Sequence, residues 1–315
     1  MTGDGLRIKD EVLDGRAVAA EIRADVAAGV EELVAAGGRR PGLGVLLVGD
    51  DPASKVYVGM KTRACEEAGM IGRSEFLPAD ATAAEIRAKV EDLNADDAVD
   101  GFLVQLPLPN GIDEREILNR VDPAKDVDGF HTQNVGRLWI DDADGLAPAT
   151  PSGVMEMLER YDVPLSGRHA VVVGRSTIVG KPMAALLLRA NCTVTVCHSR
   201  TKDLAAVCRQ ADVLIAAVGR PAMLGPDHVR EGAVVVDVGT NRVEDRSEVE
   251  RLFPGNAQRL ETLERRGGVL VGDVDYTAVK PKVAGITPVP GGVGPLTVAM
   301  LLSNALKASR ARQGR

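Results

Sequence analysis

Apolar and polar positions along this chain follow two periods in turn, and the turns repeat. GLGVLLVG at 42–49 is a continuous apolar run with the length of one buried strand. PASKVYVGMKTRACEEAG at 52–69 follows with helical spacing and closes on Gly69. EFLP is a short strand, and Thr82-Ala-Ala-Glu85 is a capping box that opens a helix through Leu93. VDGFLVQLPLP at 99–109 is the next strand and runs into a proline-stopped loop. DEREILNRV at 113–121 is a short helix, and DPAKDVDGFHTQNVG after it is loop. Strands alternating with helices predict a parallel sheet covered by helices.

At 141–151 the composition shifts to DDADGLAPATP, acidic, small and proline-bearing, which marks a boundary. Thr150 is placed to cap a helix with Pro151 at its first position. HAVVVG, TVTVCH, ADVLIAAVG and AVVVDVG then supply four apolar strands separated by helical stretches, a second and Rossmann-like domain. The charged stretch 243–268 is expected to be a surface excursion with one short helix and no site. GVLVGDVDY resumes the fold, and GITPVPGGVGPLTVAMLLSNALKASR ends it as a glycine-proline turn and a long amphipathic helix.

Composition narrows the function classes. A chain of 315 residues accommodates two domains, and 45% hydrophobic against 3% aromatic residues means cores of Val, Leu, Ile and Ala. The net charge of −7 excludes a general nucleic-acid binder, while leaving room for local phosphate pockets. Cys65, Cys192, Cys197 and Cys208 have no C-x-x-C spacing and read as small core hydrophobes. His131, His169, His198 and His228 form no ligand motif, so no metal is expected. The polar start MTGDGLRIKDE is no signal peptide, and no apolar run approaches the ~20 residues of a membrane span. The expectation is a soluble, cytoplasmic protein.

Several stretches can carry chemistry. In RHAVVVGRSTIVGKPM a strand meets the turn Gly174-Arg175-Ser176-Thr177-Ile178-Val179-Gly180 and a helix starting near Ile178. Glycines and a helix N-terminus in that order form a phosphate cradle, though a tight structural turn would look the same. After TVTV, where folds that prefer NAD place a carboxylate for the ribose, stand His198, Ser199 and Arg200, which favours a 2′-phosphate and NADP. Tyr57 and Lys61 share one helix face, but spacing alone does not separate a cleft lysine from a solvated one. Gln105 stands at the carboxyl end of FLVQLP, where open α/β sheets gather ligands and where strands also simply end. Asp126 and Asp128 in KDVDGF fit turn formers equally well. TPVPGGVGP at 287–295 lets backbone press on a flat ligand, or is tight-turn chemistry alone.

VGDDPASKVYVGMK, VQLPLP, KDVDGF, VVVGRSTIVGKP, TVTVCHS and ITPVPGGVGPLTVAM occur in this order, and together they resemble the bifunctional methylenetetrahydrofolate dehydrogenase/cyclohydrolases over nearly the whole chain. The resemblance implies an α/β protein of two domains around a cleft. A folate-binding catalytic domain spans 1–150 and is joined by the C-terminal helix 289–315; a Rossmann-like NADP-binding domain spans 151–288. It implies a homodimer, NADP-dependent oxidation of 5,10-methylenetetrahydrofolate, and hydrolysis of the methenyl product to 10-formyltetrahydrofolate. A single-activity dehydrogenase of the same fold, with weak hydrolysis, is the nearest alternative.

Read through that resemblance, Lys61 is the acid/base and Gln105 its orienter. Tyr57 stacks on the folate rings and Asp128 anchors the pterin. Val104 and Leu106 join the substrate set, as does the turn of Pro290, Gly291, Gly292, Val293 and Gly294. Gly174, Arg175, Ser176, Ile178, Gly180, Ser199, Arg200 and Thr240 form the cofactor set, with Arg175 and Ser199 on the 2′-phosphate. Two departures from the family pattern stand in the cofactor domain: Thr240 replaces an isoleucine, and 243–268 is longer than expected.

Overall fold

A computed structural model describes residues 11–314; the polar N-terminal stretch before Glu11 and the last residue lie outside the described residues. In chain order the first elements are β1 (Glu11–Val12), α1 (Gly15–Ala35), β2 (Gly42–Val48), α2 (Pro52–Glu67), β3 (Ile71–Leu77), α3 (Ala83–Ala95), β4 (Gly101–Gln105), α4 (Glu114–Leu118) and α5 (Thr132–Trp139). There follow α6 (Ala149–Arg160), β5 (His169–Val173), α7 (Gly180–Arg189), β6 (Thr193–Cys197), α8 (Leu204–Cys208), β7 (Val213–Ala216), β8 (Val234–Asp237) and β9 (Asn241–Val243). The chain closes with α9 (Arg246–Leu252), α10 (Ala257–Arg266), β10 (Val269–Val271), α11 (Tyr276–Val279), β11 (Gly285–Ile286) and α12 (Val293–Arg312). Two compact units divide it: Ala19–Ala149 with Thr297–Arg315, and the residues through Val18 with Thr150–Leu296.

The first of these units holds a three-stranded parallel sheet in the order β3-β2-β4. All seven residues of β2 are buried, as a central strand covered on both faces requires. The chain leaves β2 for β3 on one side and returns to β4 on the other, so the strand order switches at the carboxyl end of β2. Leu46, Val48, Phe102 and Val104 pack with Ile86, Val90 and Leu93 of α3 in its core. The capping box is present, Thr82 accepting from Glu85 N and Glu85 returning to the Thr82 amide.

The other unit is a six-stranded, all-parallel sheet in the order β1-β11-β8-β7-β5-β6. Here the strand order reverses at β5, flanked by β6 and β7, and the crevice outside the carboxyl end of such a strand is where open α/β sheets bind ligands. Its core is aliphatic: Val171, Val173, Leu214, Ala216, Val235 and Ile286 are among its buried members, together with Cys197 and Cys208. All four cysteines are buried.

Several sequence expectations change. The chain also forms α1, which buries Val18, Ile22, Val26, Val30 and Leu33 on one face while exposed Ala17, Ala20, Ala24 and Ala28 on the other blur the apolar-polar contrast along the sequence. The loop after Asp122 contains α5, because the His131 side chain accepts from Gln133 N and caps it. Helix α6 starts at Ala149, so Thr150 lies inside it and is not its cap. Helix α7 starts at Gly180 and not near Ile178: Ser176 Oγ accepts from the amides of Val179 and Gly180 and holds that segment as a turn. Stretch 243–268 carries two helices, α9 and α10, flanked by the antiparallel pair β9 and β10, with Val243, Val249, Leu252, Leu263, Val269 and Val271 as a core of its own. Helix α12 is not amphipathic: from Val293 to Arg310 only Gly294 and Lys307 are exposed, so it is apolar nearly all round and buried.

Candidate active site

Helix α2 starts at Asp51, whose carboxylate accepts from Ser54 N at 2.7 Å, with Pro52 at its first position. Its buried stripe runs Ser54, Val58, Lys61, Cys65. A lysine therefore occupies a position where helical spacing calls for a hydrophobe, at 8% exposure. Lys61 Nζ donates to Gln105 Oε1 at 2.9 Å. Gln105 Nε2 donates to the Leu106 carbonyl at 2.8 Å, which turns the amide oxygen toward the lysine. Tyr57, one turn earlier, is half exposed and free to present its ring.

The KDVDGF loop is fixed by its own polar contacts. Phe102 N donates to the Lys125 carbonyl at 2.8 Å, laying the loop along β4. Lys125 is fully buried and donates to the carbonyls of Leu93, Asn94 and Asp96, at the end of α3. Buried Asp126 accepts from His131 N and from Asn134 Nδ2. Asn304 of α12 donates to the carbonyls of Val127 and Ala147. What these contacts hold in place is Asp128, partly buried between them.

Asp128 and Lys61 act on each other electrostatically. Burial lowers the Lys61 amine from its ordinary value, and the Asp128 carboxylate opposes that shift. Burial pushes the Asp128 carboxyl up to about 6; Lys61 lowers it and Asp126 raises it. An amine and a carboxyl that titrate toward neutrality, beside a neutral amide, are equipped to move protons. Val104 and Leu106 face otherwise: the Val104 side chain is in the core and Leu106 packs partly against it, leaving their backbone as what they can offer a ligand.

In the six-stranded unit, Gly174 follows β5 at the reversal point with φ +129°. A Cβ there would stand 2.1 Å from the Ala217 carbonyl, and one on Gly180 would stand 2.3 Å from the Gly174 carbonyl. The two glycines are thus required by the turn's own packing. Arg175, Ser176 and Ile178 on the turn are exposed, as are Ser199 and Arg200 after β6 and Thr240 after β8. Among the described residues nothing pairs with the Arg175 side chain. Ser176 Oγ already accepts from the amides of Val179 and Gly180. In the 287–294 turn, Gly292 N donates to the Pro288 carbonyl at 2.8 Å and a Cβ on Gly292 would collide with that turn, whereas nothing lies within 4 Å of a Cβ on exposed Gly294. Tight-turn chemistry accounts for Gly292; it does not account for Gly294. Gly291 and Val293 are buried and Pro290 exposed.

The tetrahydrofolate dehydrogenase/cyclohydrolase family matches residues 13–128 through its catalytic domain and 148–313 through its NAD(P)-binding domain. The chain belongs to this family. It is 52% identical over 307 residues to a bifunctional protein FolD of Koribacter versatilis, covering 96% of this chain and 98% of that one. The crystal structure of the bifunctional FolD dehydrogenase/cyclohydrolase of Campylobacter jejuni superposes with a TM-score of 0.86 at 45% identity, over 96% of this chain and 99% of that one. A FolD structure from Trypanosoma brucei, complexed with NADP cofactor and inhibitor, has a TM-score of 0.86 at 39% identity, over 96% and 98%. No described helix is long and apolar enough to cross a membrane.

Within this tetrahydrofolate dehydrogenase/cyclohydrolase, further buried polar residues hold loops. Asp273, fully buried, accepts from the amides of Val218, Gly219 and Arg220 and from Asn241 Nδ2. Asp237 accepts from the amides of Gly239, Asp273 and Val274, and burial pushes its carboxyl up to about 7. Together they pin the loops after β7 and β8. The signal was legible: a carboxylate inside an apolar strand run, as in VVVDVG and VLVGDV, needs several donors to be buried there.

Proposed function

We propose that this protein oxidises 5,10-methylenetetrahydrofolate with NADP+ and hydrolyses the resulting methenyl cation to 10-formyltetrahydrofolate. The observation that carries this is the buried Lys61 bonded to a neutral amide, with Asp128 as electrostatic neighbour. NADP+, when bound, supplies the hydride acceptor. The donor set fits it: a glycine turn at the sheet's reversal point, exposed Arg175, Ser199 and Arg200, and no carboxylate directly after β6. Arg175 and Ser199 take the 2′-phosphate.

In oxidation the folate nitrogens supply the electron push, so the protein's part is placement. Tyr57 stacks on the rings. Asp128 accepts from the pterin's N–H edge, and the Pro290–Gly294 turn covers the folate. In hydrolysis water attacks the methenyl carbon and passes a proton to neutral Lys61 Nζ. Lys61 then gives that proton to the ring nitrogen as the carbon–nitrogen bond breaks, and the carbinol hydroxyl loses the second proton of water to solvent as the formyl carbonyl forms. Gln105 Oε1 accepts from the amine in either charge state, so it orients Lys61 without demanding that it stay protonated. The family also supports a homodimer, read by sedimentation, and a cytoplasmic setting.

The test follows methenyltetrahydrofolate absorbance with methylenetetrahydrofolate and either NADP+ or NAD+. Formation and decay of the signal, faster with NADP+, is the expected result. Formation without decay would leave the single-activity dehydrogenase, and no formation with either cofactor would end the proposal.

A further inference from the structure

The 243–268 excursion reaches back toward the glycine-proline turn through one side chain. Arg259 of α10 lays its guanidinium over the Phe253 ring, 4.3 Å from the centroid. It donates from Nη1 to the Leu270 carbonyl at 2.9 Å and from Nη2 to the Val289 carbonyl at 2.6 Å. Among the described residues no carboxylate pairs with it. Its cation is therefore committed to two backbone carbonyls, one of them inside the turn. A guanidinium clamped by a ring and two acceptors is held in a single geometry, which a flexible ammonium would not be.

Backbone packing holds other parts of the turn: a Cβ on Gly15 would stand 1.7 Å from the Gly292 carbonyl, and one on Gly272 would stand 2.9 Å from Val289 Cγ2. Thr287 Oγ1 accepts from Asp237 N at 2.7 Å before it, and the Gly292-to-Pro288 bond closes it. Val289 also lines a small cavity with Leu252, Phe253 and Thr287, and it is the Val289 carbonyl that Arg259 takes. We propose that Arg259 is a positioning residue, through which the 243–268 excursion sets the Pro288–Gly294 turn and with it the affinity for folate. This rests on the reading that the turn covers the folate.

Two variants test it. Arg259→Met keeps the stem against Phe253 and removes the donors; Arg259→Lys keeps one donor. The readouts are KM for methylenetetrahydrofolate and for methenyltetrahydrofolate, kcat, Kd for NADP+ and Tm. Arg259→Met is expected to raise both folate KM values about 5- to 30-fold, the ratio that 1–2 kcal/mol corresponds to. Kcat and the NADP+ Kd stay at wild-type values, and Arg259→Lys recovers part of the loss. Unchanged folate KM values in Arg259→Met overturn the proposal. So does a rise in KM matched by an equal rise in NADP+ Kd and a fall in Tm, which is general loosening. Gly294→Ala separates this from the underlying reading, because among the described residues nothing lies within 4 Å of its methyl and a helical alanine does not by itself alter folate KM. If Gly294→Ala raises folate KM and Arg259→Met does not, the Arg259 proposal alone fails; if both are silent, the turn does not face folate and the reading itself fails.

Discussion

Replacing Lys61 by methionine removes the one titrating amine of the site while keeping nearly the same shape, and its effects on stability and on the two reactions can be worked out separately. The side chain sits at 8% exposure in the buried stripe of α2, and burial lowers its affinity for a proton. In the unfolded chain the amine titrates at its ordinary value of 10.5. Between its lowered folded value and 10.5 the unfolded state binds more protons, so wild-type stability rises with pH across that window. Below the window the penalty is present in full; above it there is none. Lys61→Met abolishes the penalty and buries an apolar side chain, but strands Gln105 Oε1, at a cost of about 1–3 kcal/mol. The net expectation is a variant about as stable as wild type at pH 7, with a flatter dependence of Tm on pH.

The catalytic effect is not balanced in that way. A general acid–base group contributes roughly 10²–10⁴-fold, or about 2.7–5.4 kcal/mol of barrier. In the proposed mechanism only hydrolysis uses it. Decay of methenyltetrahydrofolate absorbance should therefore slow by that factor in Lys61→Met, while methenyl formation stays measurable. In wild type, hydrolysis should rise with pH as the amine loses its proton, and the residual rate of the variant should lose that rise. Wild-type hydrolysis by Lys61→Met, or a variant that keeps the wild-type pH profile, would refute the assignment.

Asp128→Asn is expected to slow both reactions if Asp128 anchors the pterin as proposed, because both reactions use the same bound ring. Because the folded carboxyl is raised to about 6 from 3.8, stability is lost as pH rises between those values and stays lost above them, so the asparagine variant should be stabilised above pH 6 by about 1–3 kcal/mol, read as a higher Tm. A variant losing only one activity, with folate affinity intact, would show that Asp128 does chemistry and is no anchor. Gly174→Ala forces a Cβ to 2.1 Å from the Ala217 carbonyl at a φ of +129°, and should cost about 2–4 kcal/mol of stability by thermal melting. A variant melting with wild type would mean that the turn has room the geometry denies. Arg175→Ala should weaken NADP+ binding roughly 10- to 100-fold with little change for NAD+, by titration at fixed ionic strength; equal losses would put Arg175 on the shared pyrophosphate or in the turn's framework.

The buried strands β2, β4, β5, β7 and β8 were legible because each is a short apolar run, and buried parallel strands need no alternation, whereas the edge strand β3, IGRSEFL, is half polar and only its EFLP end reads as strand. What escaped was governed by contacts far apart in sequence. No local pattern says that α12 is enclosed on nearly every side, or that its Asn304 donates to the carbonyls of Val127 and Ala147. Lys61 illustrates the boundary between the two cases. Spacing placed it on one face with Tyr57, but the stripe of Ser54, Val58 and Cys65 shows that it lies on the buried face while Tyr57 does not. A charged residue at the register of a hydrophobic stripe is a stronger signal than any pair spacing.

The same principle joins the buried polar residues of both units. Lys125, Asp126 and Asn304 in one, Asp237 and Asp273 in the other, each lie inside apolar surroundings and each spend their polar atoms on backbone groups of a loop. A buried charge left unsatisfied costs several kcal/mol, so such a residue persists only where the surrounding loop is shaped to satisfy it. The constraint runs both ways. A loop that must donate three amides to Asp273 has little freedom left, and the loop carrying Asp128 is held through Phe102, Asn134 and Asn304 in the same manner. Asp128 thereby reaches its position beside Lys61 with little ordering left to occur on binding, and placement of the substrate is the greater part of what the dehydrogenase step asks of the protein. Arg259 extends this device to the glycine-proline turn, with the difference that its cation comes from the 243–268 excursion.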